Sequence, residues 1–268
     1  MGAVTDRTQD VDPAAFVRLL GHPVRWQLLR ELAWSDRAVK ELTALVGEPQ
    51  NLVSYHLRQL RDAGVVRARH SSADGRDSYY AVDLDRCDAQ LRQVGATLHP
   101  SLGRSPTPWA PMPRPVGQRR PRALFACTGN SARSQMAEAL LRERSHGTID
   151  AASAGSHPKA LHPEAVRAMR RRGIDISAGR PTHLDELRHD HFDVVVTLCD
   201  RVREVCPELP GPPLAAHWSM PDPAADTTSP TELRTAFERT AVELESRIAH
   251  LLHLLTDPTT RSATHAHR

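Results

Sequence analysis

Eight residues, Cys127-Thr128-Gly129-Asn130-Ser131-Ala132-Arg133-Ser134, constrain this chain more than any others. They follow an apolar run, 123–126, that reads as a strand. They precede 135–145, where Met136, Ala137, Leu140 and Leu141 recur at helical spacing. A strand that ends in a tight Gly/Asn/Ser turn and then opens a helix points successive N–H groups inward, at the positive end of the helix dipole. The N–H groups of Thr128, Gly129, Asn130, Ser131, Ala132 and Arg133 therefore form a cradle for an oxyanion, with the Cys127 sulfur at its base. The planar fork of Arg133 can curl back and grip two anion oxygens. The same field favours Cys127 as a thiolate, because helix N-termini and nearby cations lower a thiol pKa of about 8.5 to roughly 3.5–7.5. Ser134 can donate a hydrogen bond to that sulfur, and Asn130 can brace the turn.

Beyond this loop, 149–154 reads as a strand, 163–172 as a helix closed by Gly173, and 192–198 as a buried Val-rich strand. Ser229-Pro230-Thr231-Glu232 combines a capping box with Pro in the first turn, and starts a helix running to about Leu255. Strands alternating with helices imply an α/β domain with a parallel sheet, whose ligand lies at the carboxyl ends of the strands. Cys127 and Cys199 each follow such a strand end, so their sulfurs can converge. Cys199 and Cys206 are seven residues apart. On a continuous helix that span is about 10 Å, whereas a disulfide needs Cα atoms within roughly 7 Å. A helical 199–206 stretch would have to unwind before the two thiols bond.

The Cys127 segment resembles low-molecular-weight tyrosine phosphatases and, more closely, the thioredoxin-coupled arsenate reductases that share their fold. The resemblance implies that Cys127 is the nucleophile, and that Thr197-Leu198-Cys199 and Cys206-Pro207 supply a resolving thiol pair. It also implies that Asp222, in Asp222-Pro223, is the general acid. Phosphatases commonly follow that Asp-Pro with an aromatic residue, where this chain has Ala224. The implied substrate is arsenate and the implied reductant thioredoxin or a similar dithiol, with no tightly bound cofactor and no metal.

The N-terminal part has a different pattern. Helical stripes run through Phe16, Val17, Leu19 and Leu20, then Val24, Leu28, Leu29 and Leu32, then Val39, Leu42, Leu45 and Val46. A fourth stretch, 49–63, places Leu52, Val53, Leu57 and Leu60 on one face and ends at Gly64. Two alternating strands, 65–69 and 78–82, flank a hairpin tip that holds Arg76. Helices followed by a basic hairpin make a winged helix-turn-helix, mainly α with a β wing. The residues His22, Pro23 and Arg25, with Ser54, His56, Leu57 and Leu60, resemble the ArsR family. In such a module the start of the fourth helix enters the major groove, which makes Gln50, Asn51, Ser54 and Tyr55 candidates for base contacts. Arg58, Arg61, Arg67, Arg69 and Arg76 would meet phosphates. The resemblance further implies a double-stranded operator and a homodimer formed through 83–98. Many relatives sense metal or metalloid through a Cys pair on the third helix. Here 39–46 has no Cys, and Cys87 is the one thiol of this part, expected to be partly buried.

Between Pro100 and Pro121 lie seven prolines and no hydrophobic periodicity, and 98–122 carries five Arg with no acidic residue. Such a stretch reads as a Pro/Arg-rich spacer. The expected layout is a tail at 1–12, the winged helix at 13–97, the linker at 98–120, the reductase-like domain at 121–257 and a tail at 258–268. No run of 18 apolar residues occurs, the first ten residues are polar, and four Cys in 268 residues make no secreted disulfide framework. A cytoplasmic chain with no membrane partner is expected. The main reading is an arsenate reductase with a three-cysteine relay, fused to an ArsR-like regulator of arsenic resistance. One alternative is a tyrosine phosphatase fused to a DNA-binding domain. The other is a repressor that only senses oxyanion or redox state.

Overall fold

A computed structural model describes residues 12–73, 77–103, 119–206, 214–225 and 229–256. They form two compact units, one built on N-terminal helices and one on a C-terminal parallel sheet. Arg76, Pro207 and the tail 258–268 lie outside the described residues, as does most of the expected linker.

The first unit contains α1 (Pro13–Leu20), α2 (Pro23–Trp34), α3 (Val39–Val46), α4 (Gln50–Asp62) and α5 (Leu84–Leu98). Phe16, Leu28, Leu32, Leu42, Val53, Leu57 and Leu60 are buried together, which is the set of stripes expected from helical spacing. The strands β1 (Arg37–Ala38), β2 (Val66–His70) and β3 (Ser78–Val82) form a sheet in the order β1-β3-β2, whose hairpin stretch Arg69–Tyr79 groups with the second unit. The two-residue β1 has no periodicity to announce it. Arg25 joins three helices: its Nε donates to Leu19 O at 2.6 Å, and its two Nη atoms donate to Arg18 O and to Gln59 Oε1. The carbonyls left open at the end of α1 are thereby satisfied, and α4 is tied to them.

Beyond Leu98 the described chain stays against α5. Pro100–Gly103 forms a 3-10 turn against α5, and an added Cβ at Gly95 would sit 2.7 Å from Leu102 O. Only glycine lets that turn approach the helix so closely.

The second unit is a four-stranded parallel sheet in the order β5-β4-β6-β7, comprising β4 (Arg122–Cys127), β5 (Asp150–Gly155), β6 (Val194–Thr197) and β7 (Leu214–His217). The helices are α6 (Arg133–Arg144), α7 (Pro163–Arg170), α8 (Asp200–Val205) and α9 (Pro230–Thr256). Phe125, Phe192 and Phe237 fill its core with Leu124, Met136 and Leu140. The capping box forms as read: Glu232 N–H donates to Ser229 Oγ, and Ser229 N–H to Glu232 Oε2. The edge strand β7, Leu-Ala-Ala-His, is too short and too poor in apolar residues to declare itself before it pairs with β6. Among the described residues no helix is long and apolar enough to cross a membrane.

Candidate functional site

Parallel pairing decides where the chemistry gathers. Ala126 lies opposite Thr197 in the β4–β6 register, so Cys127 and Cys199 leave the same end of adjacent strands. Both are free thiols and nearly buried, at 2% and 3% exposure.

Cys127 Sγ lies 2.9 Å from Ser134 Oγ and receives the Asn130 N–H at 3.2 Å. Asn130 is fully buried, with its side-chain amide bonded on both ends. Thr182 N–H donates to its Oδ1 at 2.8 Å, which fixes the amide. Its Nδ2 then donates to Ser134 Oγ and Ser153 Oγ, each at 2.9 Å. Ser134, accepting there, is oriented to donate its own proton to the Cys127 sulfur. Asn130 has φ of 43°, in the left-handed region that Asn tolerates better than most residues. Gln135 Nε2 holds its carbonyl at 2.6 Å. Ser153 in turn donates to Glu138 Oε2. Gly155 lets the loop fold flat on the neighbouring strand, because a Cβ there would stand 2.7 Å from Thr128 O and 2.9 Å from Asn130 N.

The amides of Arg133, Ser134 and Gln135 open α6 without intrahelical acceptors. With Gly129, Ser131 and Ala132 before them, they remain the candidate oxyanion donors. Thr128 is placed differently. Its N–H donates to Cys199 Sγ at 3.3 Å, and its Oγ1 lies 3.2 Å from the same sulfur. The loop residue next to the first thiol therefore holds the second.

Arg133 also differs from the simple expectation. Its Nη1 donates to Met220 O at 2.8 Å and its Nη2 pairs with Asp222 Oδ2 at 3.3 Å, with the arginine 7% exposed. The fork faces the 220–222 segment, and an incoming oxyanion would compete with Asp222 for it. Cys206 ends α8 and is partly buried, and burial pushes its thiol pKa up. Burial thus favours the thiol over the more nucleophilic thiolate. Sequence reasoning missed Gln135, Glu138, Ser153 and Thr182. They are ordinary polar residues whose role exists only after the loop has folded against them. Among the described residues, no group of three or more His, Cys, Asp or Glu side chains could hold a metal ion.

Residues 122–260 match the family model described as low molecular weight phosphotyrosine protein phosphatase. The chain belongs to that family. Residues 22–68 match the model of bacterial regulatory proteins of the arsR family, so an ArsR-type helix-turn-helix precedes the phosphatase-family domain in one chain. An arsenate reductase of Halalkalibacterium halodurans is 39% identical over 124 residues, covering 46% of this chain and 89% of that protein. An arsenate reductase of Bacillus subtilis is 37% identical with the same coverage. One of Brevibacillus brevis is 42% identical over 100 residues, covering 37% of this chain and 75% of that protein.

In the ArsR-type unit, Gln50, Asn51, Tyr55 and Arg58 are exposed and Ser54 is half-buried. They line the face of α4 opposite buried Val53, Leu57 and Leu60. Tyr55 OH accepts from Gln59 Nε2 at 2.7 Å. Cys87 packs against the core, and burial, helped by Asp83, pushes its thiol up to about 11. His56 is a core residue, 3% exposed, with its ring 4.3 Å from that of His22 and its Nδ1 lacking a hydrogen-bond partner. Burial, His22 and Arg25 lower its pKa. The unfolded chain takes up this proton near pH 6.5 while the folded one resists it. The stability linked to His56 is therefore full above about pH 6.5 and declines as the pH falls below it. Far-UV circular dichroism melts between pH 7.5 and 5.5 should show the midpoint falling, with a shallower fall in His56→Gln.

Proposed function

We propose that the chain is an arsenate reductase working through a three-cysteine relay, joined to an ArsR-like regulator that binds double-stranded DNA. The observation that carries the reading is the pairing of Thr128 with Cys199 Sγ. Hydrolysis of a phosphate ester needs one nucleophilic thiol, and a second held against the same loop has no part in it. The relatives named arsenate reductase support the same choice of substrate.

In this reading Cys127 Sγ, with the Asn130 N–H on it, attacks arsenic(V) held by the amides of Gly129, Ser131, Ala132 and Arg133. The anion takes Arg133 from Asp222, which is then free to protonate the departing oxygen as water. Cys199 thiolate attacks Cys127 Sγ. The S–As bond breaks with its electron pair on arsenic, so arsenic(III) leaves as arsenite and the two sulfurs are oxidised to a disulfide. Cys206 then attacks Cys199, forming Cys199–Cys206 and releasing Cys127 thiolate. Thioredoxin or a similar dithiol reduces the final disulfide. Thr128 acts in this scheme through Cys199.

For the other unit, Gln50, Asn51, Ser54 and Tyr55 would face bases and Arg58 a phosphate, with Arg76 of the hairpin tip assigned to phosphate on sequence alone. The regulator would act as a homodimer in the cytoplasm. A second reading, protein-tyrosine phosphatase, follows the family model's description. Ala224 weighs against it, because an aromatic wall for a phenyl ring is missing after Asp222-Pro223. The deciding experiment is arsenate-dependent NADPH oxidation coupled through thioredoxin and its reductase. Steady turnover by the reduced full chain is the expected result. Aryl-phosphate hydrolysis without arsenate turnover would establish the phosphatase.

A further inference from the structure

The end of β7 and the start of α8 enclose polar side chains that this relay does not consume. Asp200, the first residue of α8, is 1% exposed, and His217, the last of β7, is 2% exposed. His217 Nε2 lies 3.1 Å from Asp200 Oδ1, and Ser219 Oγ donates to the same oxygen at 2.6 Å. On its other side His217 Nδ1 lies 2.8 Å from Thr197 Oγ1, and these two residues are direct partners in the β6–β7 register. A carboxylate buried this deeply is costly unless hydrogen bonds replace its water. Burial alone would raise its pKa, yet the hydrogen bonds from His217, Ser219 and the Ser72 N–H, with the Arg69 guanidinium 2.9 Å from its Oδ2 and so engaged here, hold it well below the usual carboxylate range.

Besides Asp200, the first turn of α8 is held by buried Val202 and by Arg203, whose guanidinium lies 5.5 Å from the centre of the Tyr79 ring. Within it Asp200 and Val202 are buried, Val205 near its far end is 58% exposed, and its N-cap Cys199 makes no capping bond with its side chain. The firm hold is therefore on the first turn, one residue after Cys199. The last turn leads into Cys206.

We infer that Asp200 is a positioning residue: bound to Arg69, Ser72, His217 and Ser219, and through His217 to Thr197, it clamps the first turn of α8. Cys199 thereby stays over the Cys127 loop while the turn carrying Cys206 unwinds. This rests on the relay reading proposed above. A thiol displaced by about 1 Å from its line of attack can lose on the order of 100-fold in rate.

The test uses the full chain with Cys206→Ser, so that arsenate drives the relay only as far as the Cys127–Cys199 disulfide, counted by mass spectrometry of non-reduced peptides. Asp200→Asn in that background should slow disulfide formation about 10- to 100-fold. Ser219→Ala, a milder loss that keeps the carboxylate, should slow it by a smaller factor and serves if Asp200→Asn does not fold. Affinity of the reduced chain for inorganic phosphate, which reads the Cys127 cradle alone, should stay within about twofold. Unchanged disulfide rates in the folded variants would overturn the inference. So would an equal loss of phosphate affinity, since Asp200 would then be supporting the whole site. If the Cys206→Ser parent itself forms no Cys127–Cys199 disulfide, the relay reading fails and takes the inference with it. A parent that forms the bond no faster than its variants defeats the inference alone.

Discussion

Cys199→Ser is expected to lower arsenate turnover by at least about 10³-fold while leaving aryl-phosphate hydrolysis nearly intact. A hydroxyl cannot enter a disulfide, so the arsenic–sulfur adduct on Cys127 has no partner to take it over. The same hydroxyl can still accept from the Thr128 N–H and pair with its Oγ1, the two contacts that Cys199 Sγ makes at 3.3 and 3.2 Å. The loop should therefore keep its shape, and any chemistry that needs only Cys127, Arg133 and Asp222 should continue. Steady-state NADPH oxidation with arsenate, set beside p-nitrophenyl phosphate hydrolysis, measures both. A variant that still reduced arsenate would remove the second thiol from the mechanism. Parallel loss of the two activities would make Cys199 a brace for the loop and no more.

Gly155→Ala should act in the opposite pattern, depressing both activities together by about 100-fold. Its Cβ would meet Thr128 O at 2.7 Å and Asn130 N at 2.9 Å, both backbone atoms of the cradle rather than the ends of flexible side chains. The strand cannot retreat easily, because Gly155 is paired with Cys127 in the sheet and its N–H is bonded to Thr182 O. The loop must move instead. Asn130, which already has positive φ and places its N–H on the Cys127 sulfur, would move with it. Overpacking of this kind costs about 1–3 kcal/mol, so the sheet should still fold. Far-UV circular dichroism close to that of wild type, with both rates reduced, is the expected result. Unimpaired hydrolysis would show that the loop has more freedom than the contact distances allow.

These two positions also mark what could be read before any coordinates. Cys127 through Ser134 was legible because the loop's own residue types carry its chemistry: a thiol, small turn formers and one arginine between a strand and a helix. The helices of the first unit were legible because their apolar spacing is regular, and the exposed side of α4 followed from the buried one. Gly155 was silent, being one glycine among the 14 in the chain until Thr128 and Asn130 lie against it. The pairing of Arg133 with Asp222 was not legible, since nothing local joins residues so far apart in sequence. Nothing in the sequence singled out Asp200. Its burial depends on β7, a strand that exists only through pairing with β6.

The depth of the first two thiols has a consequence for whatever restores the enzyme under the proposed relay. With Cys127 at 2% and Cys199 at 3% exposure, a tetrahedral anion can slip in between loop amides, but a folded redox protein cannot follow it. Cys206, only partly covered, is the thiol left within such a protein's reach. Size therefore segregates the two co-substrates: oxidising equivalents enter through a sieve, reducing equivalents arrive at the perimeter, and bulky cellular thiols are kept from short-circuiting the arsenic adduct.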